Sequence, residues 1–282
     1  MQLGKYKLDF KKTIIMGVLN VTPDSFSDGG LYQDLDQAVK HAKHMLLEGA
    51  DIIDIGGESS RPGSYEVTEE EELKRVIPVV ERLIKEIEAP ISIDTYKPRV
   101  AEECLKLGAH MINDISGLRH SGMAEIIAKY KASVCIMHML GEPKTMQKDP
   151  KYSNVIEEIS KYLKTQGEKA QKAGIKNIII DPGIGFGKKL EHNIAILNNI
   201  KIFKNLNYPV LIGLSRKSFI GEITDLPVTE RLEGALSATA ISIYNGANIV
   251  RVHDVKETRR VAMVADALRV INTNSLYRLY DR

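Results

Sequence analysis

Cysteine is nearly missing from this chain. With only Cys104 and Cys135 in 282 residues, no disulfide framework and no cysteine pair at metal-site spacing is available. Both are expected to be buried small hydrophobes in a reducing compartment, which places the protein in the cytoplasm. A run of about 18 apolar residues is also lacking, so no transmembrane helix is predicted. The opening Met1-Gln2-Leu3-Gly4-Lys5-Tyr6 has none of the apolar stretch of a secretory leader. Net charge is small: 39 Lys and Arg against 37 Asp and Glu leave +2, so neither nucleic acid nor a membrane surface is an expected partner. No low-complexity tract or interdomain linker divides the sequence. A hydrophobic content of 43% with 27% charged residues is that of an ordinary globular protein, and α/β barrels of this length form one domain, here residues 1–282.

What is present is a repeat. Eight short apolar runs occur, at least seven ending in a polar or charged residue. Residues 14–19 close on Asn20, 52–55 lead to Gly56-Gly57-Glu58, 91–93 close on Asp94, and 111–112 close on Asn113. Residues 134–137 close on His138, 178–180 on Asp181, 210–214 lead to Ser215-Arg216-Lys217, and 249–250 close on Arg251. Stretches of helical periodicity separate them. Strands buried on both faces read as continuous apolar runs, and parallel strands need crossover helices. The pattern predicts an α/β fold, a (β/α)8 TIM barrel, whose active site lies at the C-terminal ends of its strands.

Helix boundaries are readable in places. Asp34 is expected to cap a helix with apolar residues Leu35, Ala38, Ala42, Met45 and Leu46 and a stop at Gly49. Thr68 and Glu71 form a capping box, and Pro78 is expected to kink the helix that follows. Residues 153–173 form the longest candidate helix, Thr229 opens another, and 255–271 form the last. Residues 272–282 are polar and expected to fray.

The polar run-ends carry the chemistry. Asp94, Asn113 and Asp181 converge at a barrel mouth, where acceptors suit a flat heterocycle with several N–H donors, because an unpaired polar atom there costs a few kcal/mol. The alternative for each, taken singly, is that it caps the next helix or turn. Asp181-Pro182-Gly183-Ile184-Gly185-Phe186-Gly187-Lys188 is neither a Walker loop nor a dinucleotide fingerprint. Its glycines are expected to turn the backbone and expose Phe186 for stacking. Ser215-Arg216-Lys217-Ser218 follows the seventh run and Arg251-Val252-His253 the eighth, where barrels often bind phosphate. A desolvated Lys217 would also suit a Schiff-base nucleophile. His138 stands without HExxH or a His cluster and is read as structural.

These residues resemble a known family. Asn20-Val21-Thr22-Pro23-Asp24-Ser25-Phe26-Ser27-Asp28-Gly29-Gly30 and Ile53-Asp54-Ile55-Gly56-Gly57-Glu58-Ser59-Ser60-Arg61-Pro62-Gly63 are similar to the two signatures of dihydropteroate synthases. The runs around Asp94, Asn113, His138, Pro143-Lys144-Thr145-Met146-Gln147, Asp181, Lys217 and Arg251 continue the likeness in order. The resemblance implies a transferase of folate biosynthesis that joins 6-hydroxymethyl-7,8-dihydropterin pyrophosphate to 4-aminobenzoate in an SN1-like step. It implies a pterin site of Asp94, Asn113, Met137, Asp181, Lys217 and Arg251. Asn20, Arg251 and His253 would hold the pyrophosphate, with Mg2+ as cofactor on Asn20. Ser60, Arg61, Pro62, Phe186, Lys217 and Ser218 would hold aminobenzoate. Asp28 and Arg61 on the first two loops, with Asp94 and Lys217, would serve catalysis. A homodimer through the later helices and membership of a sulfonamide-target family are implied in the same way. Rival readings are a barrel passing the methyl group of methyltetrahydrofolate to a corrinoid protein, a Schiff-base aldolase using Lys217, and a catalytically silent pterin-binding protein.

Overall fold

Every apolar run becomes a strand, with the polar run-ends gathered at one end. The structure is a computed structural model and describes residues 1–22, 30–59 and 66–270. Two short strands come first, β1 (Gln2–Leu3) and β2 (Tyr6–Lys7). Eight more take up the runs: β3 (Ile14–Asn20), β4 (Ile52–Gly56), β5 (Ile91–Asp94), β6 (Met111–Asp114), β7 (Ser133–Met137), β8 (Ile178–Asp181), β9 (Leu211–Gly213) and β10 (Ile249–Val252). They form one parallel sheet in the order β8-β7-β6-β5-β4-β3-β10-β9. A bridge between Ile180 and Val210 joins its two ends, so the sheet closes into the predicted (β/α)8 barrel.

Alternation along the strands sorts the core into two layers. Met16, Ile52, Met111, Cys135, Ile179, Leu211 and Ile249 point into the barrel and pack on one another. Their neighbours Ile15, Ile53, Ile112, Val134, Ile180 and Val250 point outward under the helices. Most of these side chains are wholly buried, each contributing about 1.5–3 kcal/mol. Leu3 and Leu8, from the β1–β2 hairpin and the residue after it, join the inner cluster, and the Ser133 hydroxyl at the start of β7 donates to the Gln2 carbonyl. The hairpin therefore plugs the bottom of the barrel.

The crossovers are α1 (Gly30–Leu47), α2 (Glu69–Glu86), α3 (Pro98–Lys106), α4 (Met123–Lys129), α5 (Val155–Lys172), α6 (Leu190–Asn198), α7 (Ile200–Lys204), α8 (Ser218–Thr224), α9 (Leu232–Tyr244) and α10 (Val255–Val270). Thr68 caps α2 by accepting from the Glu71 amide, and the helix runs continuously over Pro78. Three expected starts shift. Helix α1 begins at Gly30, so Asp34 lies inside it rather than at its cap. Helix α5 begins at Val155 rather than at residue 153, and Asn154 caps it by accepting from the Glu157 amide. Thr229 sits in a short 3-10 turn, Val228–Glu230, and the α-helix begins after Arg231. Gly49 and Gly174 stop their helices at φ +104° and +98°, which glycine adopts without the Cβ penalty. Cys104 and Cys135 are free and buried, and no described helix is long and apolar enough to cross a membrane.

Candidate active site

Strand register gathers the polar run-ends. Asp94 on β5 lies beside Asn113 on β6, Met137 on β7 beside Asp181 on β8, and Arg251 on β10 beside Gly213 on β9. Asn20 ends β3 opposite Gly56. One cavity of about 280 Å³ is lined by Asn20, Asp94, Asn113, Met137, Asp181, Phe186, Lys217, Ser218, Arg251 and His253. Ten of the residues expected from sequence thus come together. Asp28, Ser60, Arg61 and Pro62 lie outside the described residues. A second cavity of about 340 Å³ beside it shares Glu58 and Ile115 but none of those ten.

At the floor of the cavity sits a charged triad. Arg251 donates through Nε to Asp54 Oδ2 and through Nη2 to Asp94 Oδ2, both at 2.6 Å. Asn113 Nδ2 donates to the same Asp54 oxygen at 3.1 Å. Asp54 is fully buried, so one carboxylate fixes two residues of the mouth at once. Asp54 lies within its apolar run and not at the end, so the pattern of polar run-ends does not mark it. Its signal was a carboxylate at an inward position within the apolar Ile52-Ile53-Asp54-Ile55 run, paired with Val18 and Ser92 rather than with the outer layer.

Both acceptor carboxyls have elevated pKa values. Burial pushes Asp94 up to about 7, against the pull of Arg251 and with the Asp54 carboxylate adding to the rise. Burial pushes Asp181 up to about 6, moderated by the Gly183 N–H that donates to its Oδ1 at 2.7 Å and by Lys217. A pair of buried acceptors near neutrality, each with free lone pairs, is suited to receive N–H donors from a ligand.

The other wall is aromatic and cationic. Lys217 Nζ lies 4.1 Å from the Phe186 ring centroid, a cation–π contact. Phe186 is only 8% exposed, so the expected exposed ring is instead packed at the mouth with Ile115, Met137 and Met139, and only its cavity edge is open. His253 Nδ1 lies 3.0 Å from Ser215 Oγ, which orients the ring, and Arg216 pairs with Asp254 at 2.9 Å. His138, read as structural, is buried with its ring edge-on to Tyr162.

Known proteins bear directly on this arrangement. Residues 16–253 match the family described as pterin binding enzyme. The chain is 49% identical to the dihydropteroate synthase of Escherichia coli K12 over 96% of both chains. The Yersinia pestis dihydropteroate synthase, solved with a sulfonamide drug complex, superposes with a TM-score of 0.90 at 44% identity, covering 95% of this chain and 98% of that one. The Xanthomonas albilineans enzyme, solved with 4-aminobenzoic acid, gives 0.88 at 41% identity over 94% and 96%. Sequence and barrel agree over almost the whole chain, and the chain belongs to the dihydropteroate synthase family.

Proposed function

We propose that the mouth cavity distributes the dihydropteroate synthase reaction among three groups of residues, as 6-hydroxymethyl-7,8-dihydropterin pyrophosphate and 4-aminobenzoate condense to 7,8-dihydropteroate and pyrophosphate. The convergence of buried Asp94, Asn113 and Asp181 with Lys217 and Arg251 around one cavity carries the reading. Asp94, Asn113, Asp181 and Lys217 hydrogen-bond the pterin, Met137 packs on it, and Arg251 stacks on its face. Asn20, Arg251 and His253 hold the pyrophosphate. Phe186, Lys217 and Ser218 receive aminobenzoate, completed by Ser60, Arg61 and Pro62, with Asp28 opposite Arg61.

Departure of pyrophosphate leaves a resonance-stabilised cation on the pterin methylene. Carboxylates of the kind at Asp94 stabilise such a charge, and the arylamine then attacks without a strong base. Exclusion of water protects the cation from capture. Mg2+ fits the residues present. No three His, Cys, Asp or Glu side chains form a metal cage among the described residues. Mg2+ keeps several waters and binds largely through substrate phosphates, so it needs few protein oxygens, and Asn20 at the cavity would supply one. When bound it neutralises leaving-group charge.

Pyrophosphate release measured with and without 4-aminobenzoate tests the function. Release should require aminobenzoate, match dihydropteroate formed, and stop with a chelator until Mg2+ returns. Equal release without aminobenzoate would make the protein a hydrolase, and no release a binding protein alone.

The elevated carboxyl pKa values predict a pH dependence. A raised pKa means the acceptor form is lost as pH falls through about 7 and then about 6. Pterin affinity should therefore weaken from pH 7.5 to 5.5, by up to about tenfold per unit for each proton that must be released. Calorimetry showing flat affinity across that range would mean the carboxyls do not bind as carboxylates.

The same reading places the protein in the cytoplasm as a homodimer. Ile241 and Tyr244 on α9 and Val264 and Leu268 on α10 are each more than half exposed and line one apolar groove, the kind of surface that association covers.

A further inference from the structure

Lys188 is a buried cation that the reaction outlined above does not use. Its ammonium spends all three donors on neutral acceptors. It contacts the Phe186 carbonyl at 2.9 Å, the His138 carbonyl at 3.3 Å and His138 Nδ1 at 3.1 Å. Burial drives His138 down to about 3, so its ring is neutral and Nδ1 can accept. Burial also lowers Lys188 to about 7, with Asp181 pulling it up and Lys217 pushing it down. A charge held in such a place opposes folding unless its hydrogen bonds are complete.

The loop it holds is the one that carries Phe186. Gly183 and Gly187 sit at φ +70° and +63°, and a Cβ on either would lie 2.0 Å from the His138 carbonyl oxygen or 2.4 Å from that of Leu140. The loop therefore lies flat on the chain leaving β7. Other ties act on the flanking glycines: the Gly185 amide donates to the buried Asn193 Oδ1 at 2.8 Å, Gln147 Nε2 donates to the Gly185 carbonyl at 2.9 Å, and Tyr152 donates to that of Gly187 at 2.9 Å. Lys188 reaches the Phe186 carbonyl, the Phe186 amide donates within the loop to the Gly183 carbonyl at 3.1 Å, and Lys217 covers the ring.

We propose that Lys188 is a positioning residue for the second substrate: by clamping the Phe186 carbonyl to the His138 end of β7, it sets the Phe186 ring for aminobenzoate. The inference rests on the assignment of Phe186 to the aminobenzoate side. Asp181 keeps its ladder on β7 and the Gly183 amide when the ammonium is removed and loses only the pull of the Lys188 charge, so the pterin side should change far less than the aminobenzoate side.

Steady-state kinetics of the full chain, with each substrate varied in turn, tests this. Lys188→Met keeps the length and removes the ammonium. It should raise KM for aminobenzoate at least about tenfold, equivalent to about 1.4 kcal/mol, while the calorimetric Kd for pterin stays within about threefold. In Lys188→Ala, added ethylammonium should lower that KM again in a saturable way, which a purely structural loss would not show. Gln147→Ala removes an exposed tie of the same loop and should raise the same KM about threefold at unchanged pterin affinity. An unchanged aminobenzoate KM in folded Lys188→Met, or equal weakening of both substrates, overturns the proposal. If Lys188→Met does not fold, failure of ethylammonium to lower the aminobenzoate KM of Lys188→Ala overturns it. Phe186→Ala separates the two layers of the argument: no effect on aminobenzoate removes the assignment of Phe186, whereas an effect there with none in Lys188→Met removes only the clamp.

Discussion

Asp181→Asn should weaken pterin binding by about 2–3 kcal/mol, a loss of roughly 30- to 150-fold, because a buried hydrogen bond to a charged group is broken. Asp181 ends β8 inside the cavity and is 7% exposed. Its Oδ1 already accepts from the Gly183 amide, so the asparagine would keep its oxygen toward Gly183 and turn its NH2 to the ligand. Donor would then face donor in a desolvated pocket. The substitution is isosteric and removes a carboxyl that burial disfavours, so the protein should remain folded, with a Tm at or above that of the parent. Calorimetry with a dihydropterin lacking pyrophosphate isolates the effect from the leaving group. Unchanged affinity in the folded variant would take Asp181 out of the site.

A second large effect is expected at a residue that need not touch either substrate. Asp54→Asn removes the carboxylate that holds Arg251 Nε at 2.6 Å and Asn113 Nδ2 at 3.1 Å. Removing one partner from a buried ion pair costs about 3–5 kcal/mol, most of it from the charge left behind. Asp94 still pairs with Arg251 at 2.6 Å, so the loss of stability should fall at the lower end of that range. Arg251 would follow Asp94 and leave the orientation proposed for it over the pterin, and Asn113 would lose its anchor. We expect kcat/KM to fall at least about 100-fold, equivalent to about 2.7 kcal/mol of transition-state stabilisation, while aminobenzoate KM changes little. A folded Asp54→Asn enzyme with parental kcat/KM would show that Asp94 alone positions Arg251.

The barrel and most of its mouth were legible because each strand is buried on both faces and must end where water begins. That constraint writes an apolar run followed by a polar residue, and it located Asn20, Asp94, Asn113, Asp181 and Arg251 without reference to any relative. The constraint is silent within a run, which is why Asp54 escaped. It is silent too about strands of two residues: β1 and β2 are too short to show a period, and their role as a plug emerges only from where Leu3 packs. Helix starts shifted by up to five residues because Asp, Ser and Thr are as content within a helix's early turns or a 3-10 turn as at a cap. The burial of Phe186 could not be read from its glycines, since what covers the ring, Lys217 and Met139, arrives from distant strands. The roles of Asp28, Ser60, Arg61 and Pro62 rest on family likeness alone.

The barrel is stitched unevenly. Seven of its joints are ladders, but between β8 and β9 the ring is closed by the single bridge from Ile180 to Val210, with the Ile180 amide donating to the Pro209 carbonyl. The two lips of that seam continue into Asp181 and Phe186 on one side and Lys217 and Ser218 on the other. A ligand gripped by both lips therefore acts as a missing rung at the thinnest part of the wall. Occupancy and wall closure would then be one equilibrium, and a ligand bound across the seam would lend the protein stability at the place where its own fold supplies least.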